Sequence, residues 1–380
     1  MSEYQYYEFL ALDRPLTQAQ VNELRGYSSR ARITPNGFIN EYHWGSFKGD
    51  EDAWMERCFD AFLYTACWGT NTIMLRLPGS LLDPKTAGDY CHSEQASVRT
   101  KGGNTILTFS SRVEEVYEVV SGEGLLATMV TVRADLSRGD LRLLYLGWLL
   151  SVQSGVLSED DKEPSVPAGL NQLSASLVCL REFLRIDGDL LAAGAEQSAA
   201  LDMEPLREGE VAQWIATLPV EDKDRLLTRL VIDDDRAIAI EMQRRYFASR
   251  GTAASPAQES LRTVGQLMVT AKNIGEKRRL EAVKRADQER VQQEREAHAY
   301  RQRFLDMLGR MEPQSWKEIE TLLTKPSASN YESAVKRLVD LRDLALRDGK
   351  ATGFRKQIEK LRLANASRRR FLERLDAAEL

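Results

Sequence analysis

Stretches of period two and of period 3.6 alternate along the first 78 residues. Residues 4–13, rich in aromatic and aliphatic side chains, predict a strand, and residues 17–27 a helix entered through Pro15 and a threonine cap. Segments 31–34 and 38–44 flank Pro35-Asn36-Gly37, whose Asn-Gly pair supplies positive φ cheaply and predicts a hairpin. Residues 50–64 carry Trp54, Met55, Cys58, Phe59 and Phe62 at helical spacing, and residues 71–77 return as a strand. The resulting order, β-α-β-β-α-β, is that of a ferredoxin-like unit.

After this unit the period changes. Residues 79–120 read as an appendage holding a second hairpin, 96–100 and 104–109, around Lys101-Gly102-Gly103, with 114–120 ambiguous. Helical spacing then dominates in 124–136, 139–152, 170–185, 208–216, 220–231 and 235–247, and the acidic loop 158–164 reads as a linker. No proline falls between Ala257 and Glu312, which permits one long helix, although strict heptads are absent. Its centre, 276–303, is strongly charged, with only Leu280, Val283, Val291 and Tyr300 as sizeable apolar residues. The last 68 residues show four short amphipathic helices, the second opened by a capping-box pattern, Ser329-Asn-Tyr-Glu332.

The expected fold is therefore α+β: a ferredoxin-like α/β domain with its hairpin (1–120), a helical domain (121–250), a long charged helix (257–312) and a small C-terminal helical bundle (313–380). Composition refines this picture. Four cysteines in 380 residues cannot build a disulfide framework, and the N-terminus shows no basic segment followed by an apolar run, so a cytoplasmic protein is expected. The most apolar run, 141–152, contains Arg142 and falls short of the ~20 residues that span a bilayer, so it reads as a buried helix and no membrane association is expected. Net charge is −5, but Arg262 onward holds 27 Lys+Arg against 18 Asp+Glu, while residues 1–261 hold 25 against 39. The chain is strongly dipolar along its sequence.

Candidate chemistry is sparse. Three histidines at 43, 92 and 298 exclude a zinc-protease helix, and neither a phosphate loop nor a nucleophile elbow occurs. No catalytic, cofactor-binding or metal residue is assigned, and no cofactor is expected. Cys58, Cys67, Cys91, His92 and His43 are the only set that could supply metal ligands, but their spacing is unlike a zinc knuckle and ordinary packing is the simpler reading. Asp52, Glu56 and Asp60 recur every four residues and read as a solvated carboxylate stripe. The aromatic strands around Tyr4–Phe9 and Phe38–Trp44 share the layout of an RNA-recognition sheet, but basic residues are scarce there and core or protein contact is favoured. The basic groups Lys277, Arg278, Arg279, Lys284, Arg285, Arg368, Arg369 and Arg370 are the residues best placed to meet phosphates or an acidic protein face. Seven-residue spacing puts Lys277 with Lys284, and Arg278 with Arg285, on one helix face.

Several stretches, among them YQYYEFLALDRPLT, SSRARITPNGFINEYHWGSFKGD, RADLSRGDLRLLYLGWLLSVQSG and NYESAVKRLVDLRDLALRDG, resemble an uncharacterised family of conserved bacterial hypothetical proteins. That family is associated with gene neighbourhoods encoding SWIM zinc-finger proteins and Swi/Snf-type helicases. The resemblance implies a bacterial accessory protein and assigns no site. Together these observations lead to a non-enzymatic interaction or scaffold protein with protein partners, homodimerisation included. The alternative is a nucleic-acid-associated factor using the basic C-terminal arm, and a third reading is an enzyme using Glu41, His43 or Cys91.

Overall fold

The computed structural model describes residues 4–45, 47–113, 121–201, 207–232, 238–249 and 262–380. The chain divides into two compact units, Met1–Arg278 and Arg279–Leu380. Helices make up 57% of the described residues, and the described strands form one antiparallel sheet in the first unit.

The first unit opens with β1 (Gln5–Leu10), α1 (Gln18–Tyr27), β2 (Arg32–Thr34), β3 (Gly37–Tyr42), α2 (Glu51–Arg57), β4 (Ala61–Ala66) and β5 (Thr70–Pro78). It continues with α3 (Pro84–Gly88), β6 (Ala96–Lys101) and β7 (Asn104–Arg112). Thr17 and Gln20 close a reciprocal capping box on α1, and the Asp50 carboxylate accepts from the Ala53 amide to start α2. The sheet order is β2-β3-β1-β4-β5-β7-β6.

Three expectations are revised here. The sheet has seven strands, so it is not a four-stranded ferredoxin fold. The second helix stops at Arg57 instead of running to residue 64, and Ala61–Ala66 is a strand between β1 and β5. Five of its six residues are buried, because both faces of the sheet are covered; a strand buried on both faces reads as a continuous apolar run, without the alternation that marks a half-exposed one. The second hairpin is no appendage either, since β7 pairs with β5 along nine residues, Thr70 to Pro78 against Arg112 to Asn104.

Alternation along the strands sorts side chains to two cores. Tyr7, Phe9, Phe38, Phe62 and Met74 pack with Leu24 of α1 and with Trp54 and Met55 of α2. Tyr6, Leu63, Ile73, Leu75, Leu107 and Phe109 pack on the other face against a helical layer. That layer is α4 (Leu125–Met129), α5 (Val132–Ser137), α6 (Arg142–Gln153), α7 (Ala175–Phe183) and α8 (Gly188–Ala195). A single core thus runs from the sheet through residues 125–195; the expected boundaries at 120 and at 251–256 lie outside the described residues. Helix α6 is buried on nearly every side, and a Cβ on Gly147 would come within 2.2 Å of the Phe109 ring, so only glycine lets α6 lie this close to β7. Helices α9 (Glu208–Thr217), α10 (Val220–Ile232) and α11 (Ile238–Ser249) complete the helical part before α12 (Val264–Arg310), a single helix of 47 residues.

The acidic loop read as a linker is a clasp. Backbone amides of Val264 and Gly265 donate to the carbonyls of Asp161 and Glu159 at 2.9 Å, which satisfies donors that the first turn of α12 leaves open. Fully buried Glu163 holds Arg262 at 2.7 and 2.8 Å and accepts from the Tyr145 hydroxyl.

The second unit holds the rest of α12 with α13 (Glu312–Thr324), α14 (Ala328–Arg347), α15 (Ala351–Ala364) and α16 (Arg369–Ala377). Their apolar stripes meet in one core of Leu305, Ile319, Leu338, Leu341, Phe354 and Phe371. The cap of α14 is Ser327, whose hydroxyl accepts from the Asn330 amide, so the pattern beginning at Ser329 lies two residues too late.

Candidate functional site

The eight predicted basic residues differ in their surroundings. Lys277, Arg279, Lys284 and Arg285 are exposed on α12 and have no ion-pair partner among the described residues. Arg278 is paired with Asp189 of α8. Arg368 turns onto the Leu323 carbonyl at the end of α13, Arg369 pairs with Glu373 one turn on, and Arg370 is exposed.

The carboxylate stripe runs from exposed Asp52 through half-buried Glu56 to buried Asp60. Asp52 pairs with Arg99 of β6 at 2.5 Å, Glu56 with Lys101 at 3.7 Å, and Asp60, past the end of α2, with Arg76 of β5 at 2.6 Å. Asp60 also accepts from the backbone amides of Leu12 and Asp13, at 2.7 and 2.9 Å. These groups link the α2 region to the sheet; Asp52 stays solvent-exposed as the sequence pattern predicted, whereas Asp60 is buried.

The three residues of the enzymatic reading do not converge. Glu41 and His43 line one cavity, whereas Cys91 is buried in the core on the helical side of the sheet and burial pushes its thiol up to about 12. Cys58 lies in the other core, its thiol pushed up to about 11 chiefly by burial. Among the described residues no three His, Cys, Asp or Glu side chains come together to hold a metal, and no helix is long and apolar enough to cross a membrane. The sheet aromatics Tyr4, Tyr6, Tyr7, Phe9 and Phe38 are all buried, so they present no open face on which bases could stack.

The cavity beside Glu41 and His43 has a volume of about 490 Å³ and opens between the α1–β2 loop and the outer edge of β3. Tyr27, Ser28, Ser29 and Arg30 line one side, Asn40 to Trp44 the other, and Lys48 its rim. Local geometry explains why it stays open. The Ser28 hydroxyl accepts from the amides of Arg30 and Ala31 at 3.3 and 3.2 Å and from the Asn40 side chain at 3.0 Å. The Arg25 guanidinium takes the carbonyls of Ser28, Ser29 and Ala31. The loop thus satisfies its own backbone, and β2 pairs with β3 only from Gly37 to Ile39.

Hydrogen-bond phase then fixes which groups face the gap. The Ala11 amide donates to the Asn36 carbonyl, so in the β1–β3 register the even-numbered residues of β3 exchange bonds with β1 and the odd-numbered ones turn outward. Glu41 is the first outward-facing position beyond the end of β2. Its backbone N–H and C=O face the gap. Trp44 stands beside it, 76% exposed, and Tyr42 is half-buried, its hydroxyl pKa raised mainly by burial. Arg30 and Lys48 are exposed and carry no ion pair among the described residues. Sequence reasoning selected Glu41 and His43 for their side chains, named Trp44 only among the strand aromatics, and missed Arg30 and Lys48. The unequal hairpin arms, 31–34 against 38–44, were the available signal, since a short arm leaves a long one partly unpaired.

Comparison with protein-family models, curated proteins and solved structures gives no match to this chain.

Proposed function

We propose that this chain is a non-enzymatic interaction protein, a scaffold within a bacterial multi-protein system, consistent with the family and helicase neighbourhoods its sequence resembles. One observation carries the reading: large apolar side chains stand in solvent at helical spacing. On α10, Leu227, Leu230 and Val231 share a face with Val220, and Val231 and Ile232 are 81% and 74% exposed. Contiguous apolar surface of this kind marks protein contacts. Charge adds orientation, because Arg279–Leu380 holds 23 Lys+Arg against 17 Asp+Glu whereas Met1–Arg278 holds 29 against 40. The proposal places the protein in the cytoplasm, with a second copy of the chain among its partners. Its first four strands, in the order β2-β3-β1-β4 with helices after β1 and β3, support a ferredoxin-like half of the sheet extended by three further strands.

In-cell crosslinking of the full chain in its native host tests this. A stoichiometric partner or a crosslinked dimer, lost in Leu227→Asp/Val231→Asp with the fold retained, is the expected result. A chain that remains monomeric and recovers no stable partner would sink the reading.

Exposure of Lys277, Arg279, Lys284 and Arg285 without carboxylate partners supports a second reading, contact with nucleic-acid phosphates. It requires binding that weakens steeply with salt and with reversal of these four charges. A gel-shift assay of the full chain showing no salt-sensitive complex removes it.

A further inference from the structure

We propose that the gap at the outer edge of β3 takes a short, extended, acidic peptide segment, added to the sheet as a strand in line with β2. The proposal rests on the interaction reading and names a partner chemistry for one surface.

Three observations converge there. First, the strand edge is open among the described residues: β2 ends opposite Ile39, and Glu41 turns its backbone N–H and C=O past that end. A paired donor and acceptor on one residue, facing outward, are matched by another peptide backbone, as in strand addition to a sheet edge. Second, the neighbouring loop does not compete for those groups. Ser28 and Arg25 satisfy its amides and carbonyls, so the cavity of about 490 Å³ is pre-formed and room for a guest costs no unfolding. Third, the charged groups at the gap select the guest. Arg30 and Lys48 are exposed cations without an ion-pair partner among the described residues, and a carboxylate on an alternate position of the guest strand satisfies them. Among the described residues Glu41 is the one carboxylate lining the gap, and its β-strand position points its side chain to the sheet face of Tyr4, whose own hydroxyl pKa is raised by burial and then by Glu41. Trp44 supplies an exposed apolar platform for the side chains between the acids.

Isothermal titration of the full-length protein with an acetylated, amidated hexapeptide alternating Glu and Val tests the proposal. Two control peptides separate its parts: Lys in place of Glu, and N-methylation of the amides on one edge. Saturable binding is expected, weakened about tenfold or more by either control, since loss of a charge-assisted or backbone pairing amounts to about 1.4 kcal/mol or more. Glu41→Pro, which removes the outward N–H at an edge position that tolerates proline, should abolish binding with an unchanged melting temperature. Arg30→Glu/Lys48→Glu, confined to exposed side chains, provides the same test if the proline variant fails to fold, with about a tenfold loss expected. Equal affinity for the N-methylated peptide, no response to the charge reversal, no saturation by the acidic peptide, or occupancy by a short oligonucleotide instead would each overturn the proposal. If in-cell crosslinking recovers the same partner from Glu41→Pro as from the parent while the peptide fails to bind, the edge proposal falls and the interaction reading stands.

Discussion

The two compact units handle charge in opposite ways. In Met1–Arg278 several ions are taken into the interior and held by partners distant in sequence: Glu163 by Arg262, Asp60 by Arg76, and Arg142 by the carbonyls of Gly169 and Gln172 in addition to nearby Asp140. In Arg279–Leu380 the core is apolar and many ion pairs are partly or fully exposed, such as Arg290 with Glu294 and Arg369 with Glu373, both one turn apart. A buried ion tolerates no loss of its partner, whereas an exposed one is rescued by water. Positional specificity in the first unit therefore rests on polar clasps, and in the second on the volume of apolar side chains.

The strongest test of that contrast is Asp60→Ala. It strands the Arg76 guanidinium and two backbone amides at a buried site, and a loss of about 3 to 5 kcal/mol in chemical denaturation is expected. A loss under about 1 kcal/mol would show that the clasp is dispensable. In the second unit Ile319→Val, at a fully buried position, should cost about 0.5 to 1.5 kcal/mol by the same measurement, the ordinary effect of one missing methylene.

A smaller, pH-gated effect is expected at Glu8, which burial beside Tyr6 holds above the usual carboxylate range. Well below the ordinary pKa of about 4.3 the carboxyl is protonated folded or unfolded and makes no difference. As pH rises the unfolded chain loses the proton first, so the folded state is disfavoured until the raised pKa of Glu8 is passed, after which the penalty is constant. Melting temperatures of Glu8→Gln and the parent should therefore converge in acid and separate in favour of glutamine toward neutral pH; a gap independent of pH would exclude this titration as its cause. Smallest of all, Arg290→Ala on the exposed face of α12 should change stability by no more than about 0.5 kcal/mol, and less still at high salt.

Sequence pattern carried the second unit well, because each helix there announces its apolar stripe within its own residues: Ile319 and Leu323, Leu338 and Leu341, Phe354 and Ile358. It failed where burial on both sides removed the period, as in Ala61–Ala66, and where a partner lies far along the chain, as for Glu163 and Arg262 at a separation of 99 residues. The basic residues were legible as a composition, but their fates were not. Arg278 and Arg368 are each taken by a neighbour that only folding brings near, and Arg369 by Glu373 one turn along its own helix. The cavity was half legible: Glu41 and His43 were singled out, while the open edge needed the register of β2 on β3.

Local sequence by itself determined the hairpins, the long proline-free helix and the four helices at the C-terminus, since turn chemistry and side-chain period act over a few residues. Tertiary structure alone decided that the described sheet has seven strands with both faces covered, that the carboxylates near α2 pair with the sheet, and that among the described residues β3 is unpaired on its outer edge beyond Ile39. Those outcomes depend on which strand pairs with which and on which charges leave water together, and neither quantity exists until distant segments meet.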